Sequence, residues 1–371
     1  MPSDLEYYDD IEVIEWPQPA DVVASANSTV DDYARQWLDE RDRRGICGVV
    51  DDRGRLRHML PSIGELRIRE VRPRHIRDMI RAARERTSQR TGRALAPRTI
   101  GAIFQLAHNL FETAVVDELI EVNPVRVKGG ELPPLIDVDL EWRTQATFST
   151  AEVVRLVSDP QIHPRRRVLY ALKGIAGLRH GEAAALAWRH FDETAQPLAR
   201  LSVVQSWSSR QGLKSTKTGV GRAVPVHPVL LRILLAWRDR WPGLYGRLPA
   251  GEDLILPTAK GTPMDKTTAQ RAMKRDLRDL GLRVRAGALR SRCGHDLRSW
   301  FLTQATEDGA DSNIVRRTTH CSPRDVVSGY QRFGWQVLCR EISKLSIDVP
   351  VADPLAWSGK IRRPRRSRIT P

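Results

Sequence analysis

Apolar residues follow a helical spacing over most of this chain, but between residues 201 and 226 the spacing becomes that of short strands. After Pro97, apolar side chains recur every three or four residues as far as Ala114. The segments 201–207, 214–218 and 222–226 instead carry strand-forming residues and are separated by glycine turns. The chain is therefore predicted to be mainly α-helical with a small antiparallel β-sheet, which is an α+β class of fold.

A segment rich in glycine and proline separates two helical stretches and is predicted to be a linker. Before it, residues 42–57 contain glycines and charges and are interpreted as a loop. After it, Ser149 and Glu152 form a capping box, which predicts the start of a helix. The predicted order is an acidic, poorly ordered N-terminus at 1–27, a helical domain at 28–128, the linker at 129–147, a second domain at 148–345 and a basic tail at 346–371.

The charge balance points to an anionic partner. The chain has 60 Lys and Arg residues against 45 Asp and Glu, so its net charge is +15. This excess favours a nucleic acid, because phosphate contacts release counterions, although the strong preference for arginine over lysine can also reflect a GC-rich genome. Four cysteines with no CxxC pair exclude a disulfide scaffold and a standard zinc finger. We find no bilayer-length apolar run and no targeting signal, and we expect a cytoplasmic protein.

Two arginines of the second domain are placed to bind an anion. Arg179 lies in a Gly-Leu-Arg-His-Gly-Glu sequence, where a turn places it at a helix N-terminus and Glu182 can hold its guanidinium one turn later. His295 and Arg298 are three residues apart on a predicted helix, so both can reach one anion. Taken alone, the first group is more typical of a surface arginine in a salt bridge, and the second is more typical of a capping histidine beside a surface arginine.

Further polar residues complete the set. Lys214 and Lys217 lie in the predicted hairpin, where neighbouring cations would lower the pKa of a lysine and suit it to proton donation. They are an odd number of residues apart, so only one can face a given site. His320 precedes a Ser-Pro turn and Tyr330 follows ten residues later; alone, these fit a structural histidine and a packed tyrosine. No Cys and His spacing matches a zinc pattern, so we expect no metal.

The order of these residues along the chain resembles the catalytic domain of the tyrosine recombinase (phage integrase) family. The resemblance rests on residues 176–192 (AGLRHGEAAALAWRHFD), 217–226 (KTGVGRAVPV), 295–298 (HDLR) and 320–330 (HCSPRDVVSGY). These stretches are specific in combination and weak singly. Two positions depart from the family pattern: Thr318-Thr319 stand where Leu-Gly is usual, and Tyr330 follows His320 by ten residues where nine is commoner.

The resemblance implies a two-domain DNA clamp, with a core-binding domain at 28–128 and a catalytic domain at 148–345. It implies a site-specific recombinase that cleaves and rejoins DNA through a 3′-phosphotyrosyl intermediate, for integration or excision of a phage or mobile element. The expected partners are double-stranded DNA, three further copies in a homotetramer on two DNA sites, and a DNA-bending accessory protein. We expect no metal, no ATP, no membrane partner and a nucleoid-associated location.

The resemblance also assigns roles to the site residues. The phosphate ligands are Arg179, Arg298 and His320, with Glu182 orienting the first of them. The residues that move protons or attack are His295 as proton acceptor, Lys217 as donor to the 5′ oxygen and Tyr330 as nucleophile. Lys214 remains an alternative to Lys217 as the donor. We further expect the apolar helix after Tyr330 to dock on a neighbouring protomer.

Two alternative functions fit the same sequence. A type IB-like topoisomerase would use the same chemistry to relax supercoils without a specific site. A DNA-binding regulator that has lost catalysis would keep the fold and the basic charge. The helical first domain favours a recombinase over the first alternative, and the complete set of polar residues argues against the second.

Overall fold

The computed structural model describes residues 25–46, 48–87, 92–135, 139, 141–216, 221–287, 290–319, 333–350 and 355–357. The chain divides between residues 138 and 139 into two compact units, each with its own hydrophobic core. In the described residues the first unit is helical and the second combines helices with small antiparallel sheets. The predicted class of fold is therefore confirmed.

The first unit is built on α1 (Val30–Arg43), α2 (Val49–Ile63), α3 (Pro73–Glu85) and α4 (Pro97–Val116). The Thr29 side chain accepts a hydrogen bond from the Asp32 amide and caps α1, while α3 and α4 each start at a proline. Trp37 Nε1 on α1 donates to Thr113 Oγ1 on α4 at 3.0 Å, so the first helix is tied to the last.

The loop interpretation of residues 42–57 is wrong, because α2 begins inside this segment. Leu56, Met59 and Ile63 recur at helical spacing and are almost completely buried. Gly54 lies on the exposed side of the helix, so its lack of a side chain removes no contact from the core. Burial of the apolar face therefore outweighs the low helix propensity of one glycine.

The helices of the second unit surround α7, which is buried along almost its whole length. Two large side chains of α12, Trp300 and Phe301, are buried in the same core. The helices are α5 (Trp142–Ala146), α6 (Thr150–Ser158), α7 (Pro164–Gly174), α8 (His180–Ala184), α9 (Pro228–Asp239), α10 (Trp241–Tyr245), α11 (Lys266–Asp279), α12 (Gly294–Glu307), α13 (Ser312–Thr319) and α14 (Trp335–Ser343).

Short antiparallel strands lie between α8 and α9 and again before α12. They are β1 (Phe191–Asp192), β2 (Arg200–Val203), β3 (Gln205–Ser208), β4 (Gly212–Ser215), β5 (Arg222–Pro225), β6 (Arg285–Ala286) and β7 (Arg290–Ser291). β2 pairs with β1 and β5, β3 pairs with β4, and β6 pairs with β7. The segment 201–207, predicted as one strand, therefore splits at Val204, because its two halves pair with different partners.

The segment predicted as a linker is folded in its last third. α5 packs against β6, and Gln145 Oε1 accepts a hydrogen bond from the Gly287 amide at 2.8 Å. Arg292, which is fully buried, donates to the Thr147 carbonyl at 2.6 Å and to both carboxylate oxygens of Glu152 at 2.7 Å. Residues 142–147 therefore belong to the second unit.

The described residues after Tyr330 also pack on the second unit. Cys339 and Ile342 of α14 are 1% exposed and lie against α13 and β5 of the same chain. Leu355, in the predicted tail, is buried, and its carbonyl accepts a hydrogen bond from Arg167 at 2.8 Å. Ile342 and Leu345 are thus covered by the chain itself, whereas Val337 and Leu338 are half-buried. Docking of this helix on a neighbouring protomer stays a prediction. No helix in the described part of the chain has the length and apolar content to cross a bilayer.

Candidate active site

A glycine turn between α7 and α8 places Arg179 at the start of α8. Gly177 has a φ of +63°, a conformation that side-chain-bearing residues rarely adopt. A Cβ added there would lie 2.7 Å from the Phe301 ring and 2.8 Å from Thr319 Cγ2. The turn therefore needs glycine both for its backbone angle and for its close packing under the site.

Glu182 is the charged centre of the site. Its side chain is 2% exposed, and it accepts hydrogen bonds from the Arg179 amide at 2.8 Å and the Arg179 guanidinium at 3.0 Å. Arg222 on β5 donates two more, at 2.7 and 3.1 Å, in a bidentate pair. Burial alone would raise the pKa of Glu182, but hydrogen bonds from Arg222 and Arg179 outweigh it and lower this pKa to about 2.

Two arginines hold consecutive backbone carbonyls at the end of α13. Arg222 Nε donates to the Thr318 carbonyl at 2.5 Å, and Arg298 donates to the Thr319 carbonyl. Arg298 is 3% exposed, also donates to the Gly177 carbonyl at 2.5 Å, and lies 4.0 Å from Glu182. The backbone that leads into position 320 is therefore fixed by the same guanidinium groups that surround the buried carboxylate.

A cleft of about 720 Å³ opens beside this network. Arg179 and His295 line it together with residues of α7, the β3–β4 hairpin and α11. Partial burial, followed by the charge of Arg298, lowers the pKa of His295, so its imidazole is neutral near pH 7 and can accept a proton. The cleft thus joins fixed cations to a neutral base, an arrangement suited to reactions of a phosphodiester.

The structure brings together four of the seven residues predicted for the site: Arg179, Glu182, His295 and Arg298. Lys214 lines the same cleft and donates to Gln211. The remaining three predicted residues, Lys217, His320 and Tyr330, lie outside the described residues. Their roles, and the choice between the two lysines, stay predictions.

Sequence reasoning missed three residues of the site. Arg222 stands 40 residues after Glu182, so no local spacing could pair them. His180 Nε2 donates a hydrogen bond of 2.8 Å to the Met264 carbonyl, and burial lowers the pKa of this histidine to about 4. Lys173 is buried beside the cleft, and its one available signal was the scarcity of lysine in the chain.

Comparisons with known proteins agree with this geometry. No family model matches the chain. The integrase of Mycobacterium phage D29 is 24% identical over 322 residues, which is 84% of this chain and 77% of that protein. The Tn1549 transposon integrase, solved in complex with circular intermediate DNA, has a TM-score of 0.62 at 14% identity and covers 85% of this chain and 99% of its own. A lambda integrase tetramer bound to a Holliday junction has a TM-score of 0.58 at 14% identity over 81% of this chain and 80% of its own.

The chain therefore shares the fold of the Tn1549 and lambda integrases, and its second unit holds two arginines around one buried carboxylate. The likeness extends across both units, because the matched structures cover more than four fifths of the chain. In sequence the chain is similar to phage integrases at 24–26% identity, which agrees with the resemblance that the order of its polar residues indicated.

Proposed function

We propose that this protein is a site-specific DNA recombinase of the integrase type, which joins the DNA of a phage or other mobile element to a target. The observation that supports this most directly is the clustering of Arg179 and Arg298 around Glu182, next to a cleft that Arg179 and His295 line. Arg179 and Arg298 are 119 positions apart in the sequence, and the fold brings them together. A phosphodiester is the substrate that a fixed pair of guanidinium groups fits best.

In the proposed cleavage step, Arg179 and Arg298 bind the non-bridging oxygens of the scissile phosphate, and His320 donates a hydrogen bond to one of them. The positive charges stabilise the additional negative charge of the transition state. Glu182 does not touch the DNA; it orients Arg179 through the hydrogen bond of 3.0 Å. The arginines are thus held in position before the substrate arrives.

The phenolic oxygen of Tyr330 attacks the phosphorus, and its proton passes to His295. The bond from phosphorus to the 5′ oxygen breaks, and Lys217 gives that oxygen a proton. The product is a 3′-phosphotyrosyl bond and a free 5′ hydroxyl. A tyrosine has an ordinary pKa near ~10, so it needs the neutral imidazole and the cationic surroundings to react near pH 7.

Rejoining is the reverse reaction with a different strand. A 5′ hydroxyl from the partner duplex attacks the phosphotyrosine, which releases Tyr330 and restores a phosphodiester. The number of phosphoester bonds does not change, so no step of this sequence consumes ATP. In this proposal the guanidinium groups of Arg179 and Arg298 supply the positive charge at the phosphate.

Strand exchange requires several copies of the protein. The lambda integrase that shares this fold forms a tetramer on a Holliday junction. By analogy we infer a homotetramer on two DNA sites, in which residues 28–128 and 148–345 clamp the duplex and a DNA-bending protein assists. We place this assembly on the nucleoid in the cytoplasm.

Randomly nicked genomic DNA tests the proposal without knowledge of the target sequence. A nick next to the cleavage point lets the short strand diffuse away, so the covalent adduct accumulates. After denaturation, wild-type protein should carry DNA whose sequenced ends define one site. Tyr330→Phe should bind DNA and carry none, whereas the control Tyr245→Phe, outside the cleft, should match wild type.

Three results would contradict the proposal in different ways. An adduct with Tyr330→Phe would show that the nucleophile is another residue. DNA binding by wild type without any adduct would favour a regulator that has lost catalysis. Adducts scattered over many sequences, together with relaxation of supercoiled plasmid, would favour a topoisomerase.

A further inference from the structure

Lysine is scarce in this chain but concentrated at the cleft. The sequence contains nine lysines among its 60 basic residues. Four of the nine, Lys173, Lys214, Lys266 and Lys274, line the cleft. Three of these are exposed or half-buried, whereas Lys173 is 7% exposed. A buried ammonium group is costly unless something compensates its charge, so Lys173 needs a physical explanation.

The Lys173 ammonium rests against the first turn of α12. A Cβ added to Gly294 would lie 2.0 Å from Lys173 Nζ, so the absence of a side chain at Gly294 provides the space for this group. Gly294 directly precedes His295, which places the ammonium next to the proposed proton acceptor. Among the described residues, no hydrogen bond or ion pair holds Lys173.

The groups that face Lys173 do not neutralise it. Burial keeps the Cys293 thiol protonated by raising its pKa, and Asp296 is engaged by a hydrogen bond of 2.6 Å from the Cys293 amide. His180 and His295 have lowered pKa values and are neutral, while Lys266 adds positive charge. The Asp296 carboxylate raises the pKa of Lys173 but does not offset the effect of burial, and it forms no ion pair with the ammonium. The ammonium therefore remains able to bind an anion that enters from the cleft.

We propose that Lys173 is a further DNA-binding residue of the cleft, and that its ammonium group contacts a backbone phosphate beside Arg179 and His295. This inference rests on the proposed function, because it assumes that DNA enters the cleft. In the free protein the Lys173 ammonium makes no hydrogen bond or ion pair with the described residues, and a DNA phosphate would supply one. Removal of the ammonium should then weaken DNA binding and, at the same time, relieve an unpaired buried charge in the free protein.

The test is a titration of a short double-stranded DNA with the full chain over a range of salt concentrations. Lys173→Met keeps the length of the side chain and removes its charge. We expect about tenfold weaker binding and a salt slope, log K against log salt, that is smaller by about 0.9. Lys260→Met removes an exposed charge outside the cleft and should leave both quantities unchanged.

A second variant displaces the charge without removing it. Gly294→Ala puts a methyl group where the ammonium lies, and the flexible lysine must move away. Its salt slope should fall as that of Lys173→Met does. Thermal unfolding separates binding from structure, since Lys173→Met should melt no lower than wild type.

Two outcomes would overturn the inference. If Lys173→Met retains the affinity and salt slope of wild type, the ammonium contacts no phosphate. If it binds weakly but also melts at a lower temperature, Lys173 supports the fold instead. Duplex binding requires no strand cleavage, so failure here is distinguishable from failure of the covalent-adduct experiment.

Discussion

Glu182→Gln should destabilise the second unit because it removes the one negative charge that two neighbouring arginines share. The substitution keeps the shape of the side chain, but it replaces one accepting oxygen by an NH2 group that faces guanidinium groups, which also only donate. Arg222 is 6% exposed and cannot recover its hydration. It would keep its hydrogen bond to the Thr318 carbonyl but lose the carboxylate that neutralises it, which is the condition in which a broken ion pair is most costly.

The magnitude follows from the pKa of the carboxyl group. The arginines lower the pKa of Glu182 from 4.5 to about 2 against the opposing effect of burial. A shift of this size corresponds to about 3 kcal/mol of stability at pH 7. The folded pKa is the lower one, so the contribution is complete above pH 4.5 and is lost as the pH falls from 4.5 toward 2.

Urea unfolding of wild type and Glu182→Gln over a pH series measures this. At pH 7 the free energy of unfolding should differ by about 3 kcal/mol, and the difference should begin to shrink below pH 5. The control Glu252→Gln affects a carboxylate that is 75% exposed and pairs with Arg189, so its effect should be small. A loss at Glu182 no larger than at Glu252, or one that does not depend on pH, would refute this account.

Three further perturbations follow from contacts described above. Gly177→Ala should lower the free energy of unfolding by about 1–3 kcal/mol in urea titrations, because the new methyl group meets Phe301 in a backbone conformation that alanine disfavours. Arg292→Ala should cost about 3–5 kcal/mol in the same assay, because Glu152 and three backbone carbonyls lose the hydrogen bonds that Arg292 donates. Lys173→Met should raise stability at pH 7 by up to about 3 kcal/mol. Burial lowers the pKa of this lysine from 10.5 to about 8, so the gain should vanish as the pH rises from 8 to 10.5; a constant gain would contradict the cause.

The fold could be predicted where the signal is local. The helix predicted after Pro97 forms as α4, because its apolar residues recur within one element and need no distant partner to be recognised. Strands were harder: β1 and β6 are each two residues long, too short for any periodicity. The division of 201–207 at Val204 depends on which strands pair, and pairing is decided by residues that are distant in the sequence.

The contacts of the site could also be predicted where they are local in the sequence and not where they are distant. Arg179 and Glu182 are one helical turn apart, so their pairing could be predicted from the sequence. The second partner of this carboxylate, Arg222, could not, because only the folded sheet brings β5 to α8. The sequence also could not show that Arg298 is held by backbone carbonyls, since any residue at those positions supplies the same acceptor.

The carbonyl contacts at the end of α13 bear on how such a site can evolve. Arg222 and Arg298 bind the peptide oxygens of Thr318 and Thr319, and every amino acid carries that oxygen. A mutation at either position can therefore change the side chain while the hydrogen bonds from the two arginines to the backbone remain. Thr318-Thr319 can therefore stand where the family resemblance predicts Leu-Gly, and the backbone contacts beneath the site are still made.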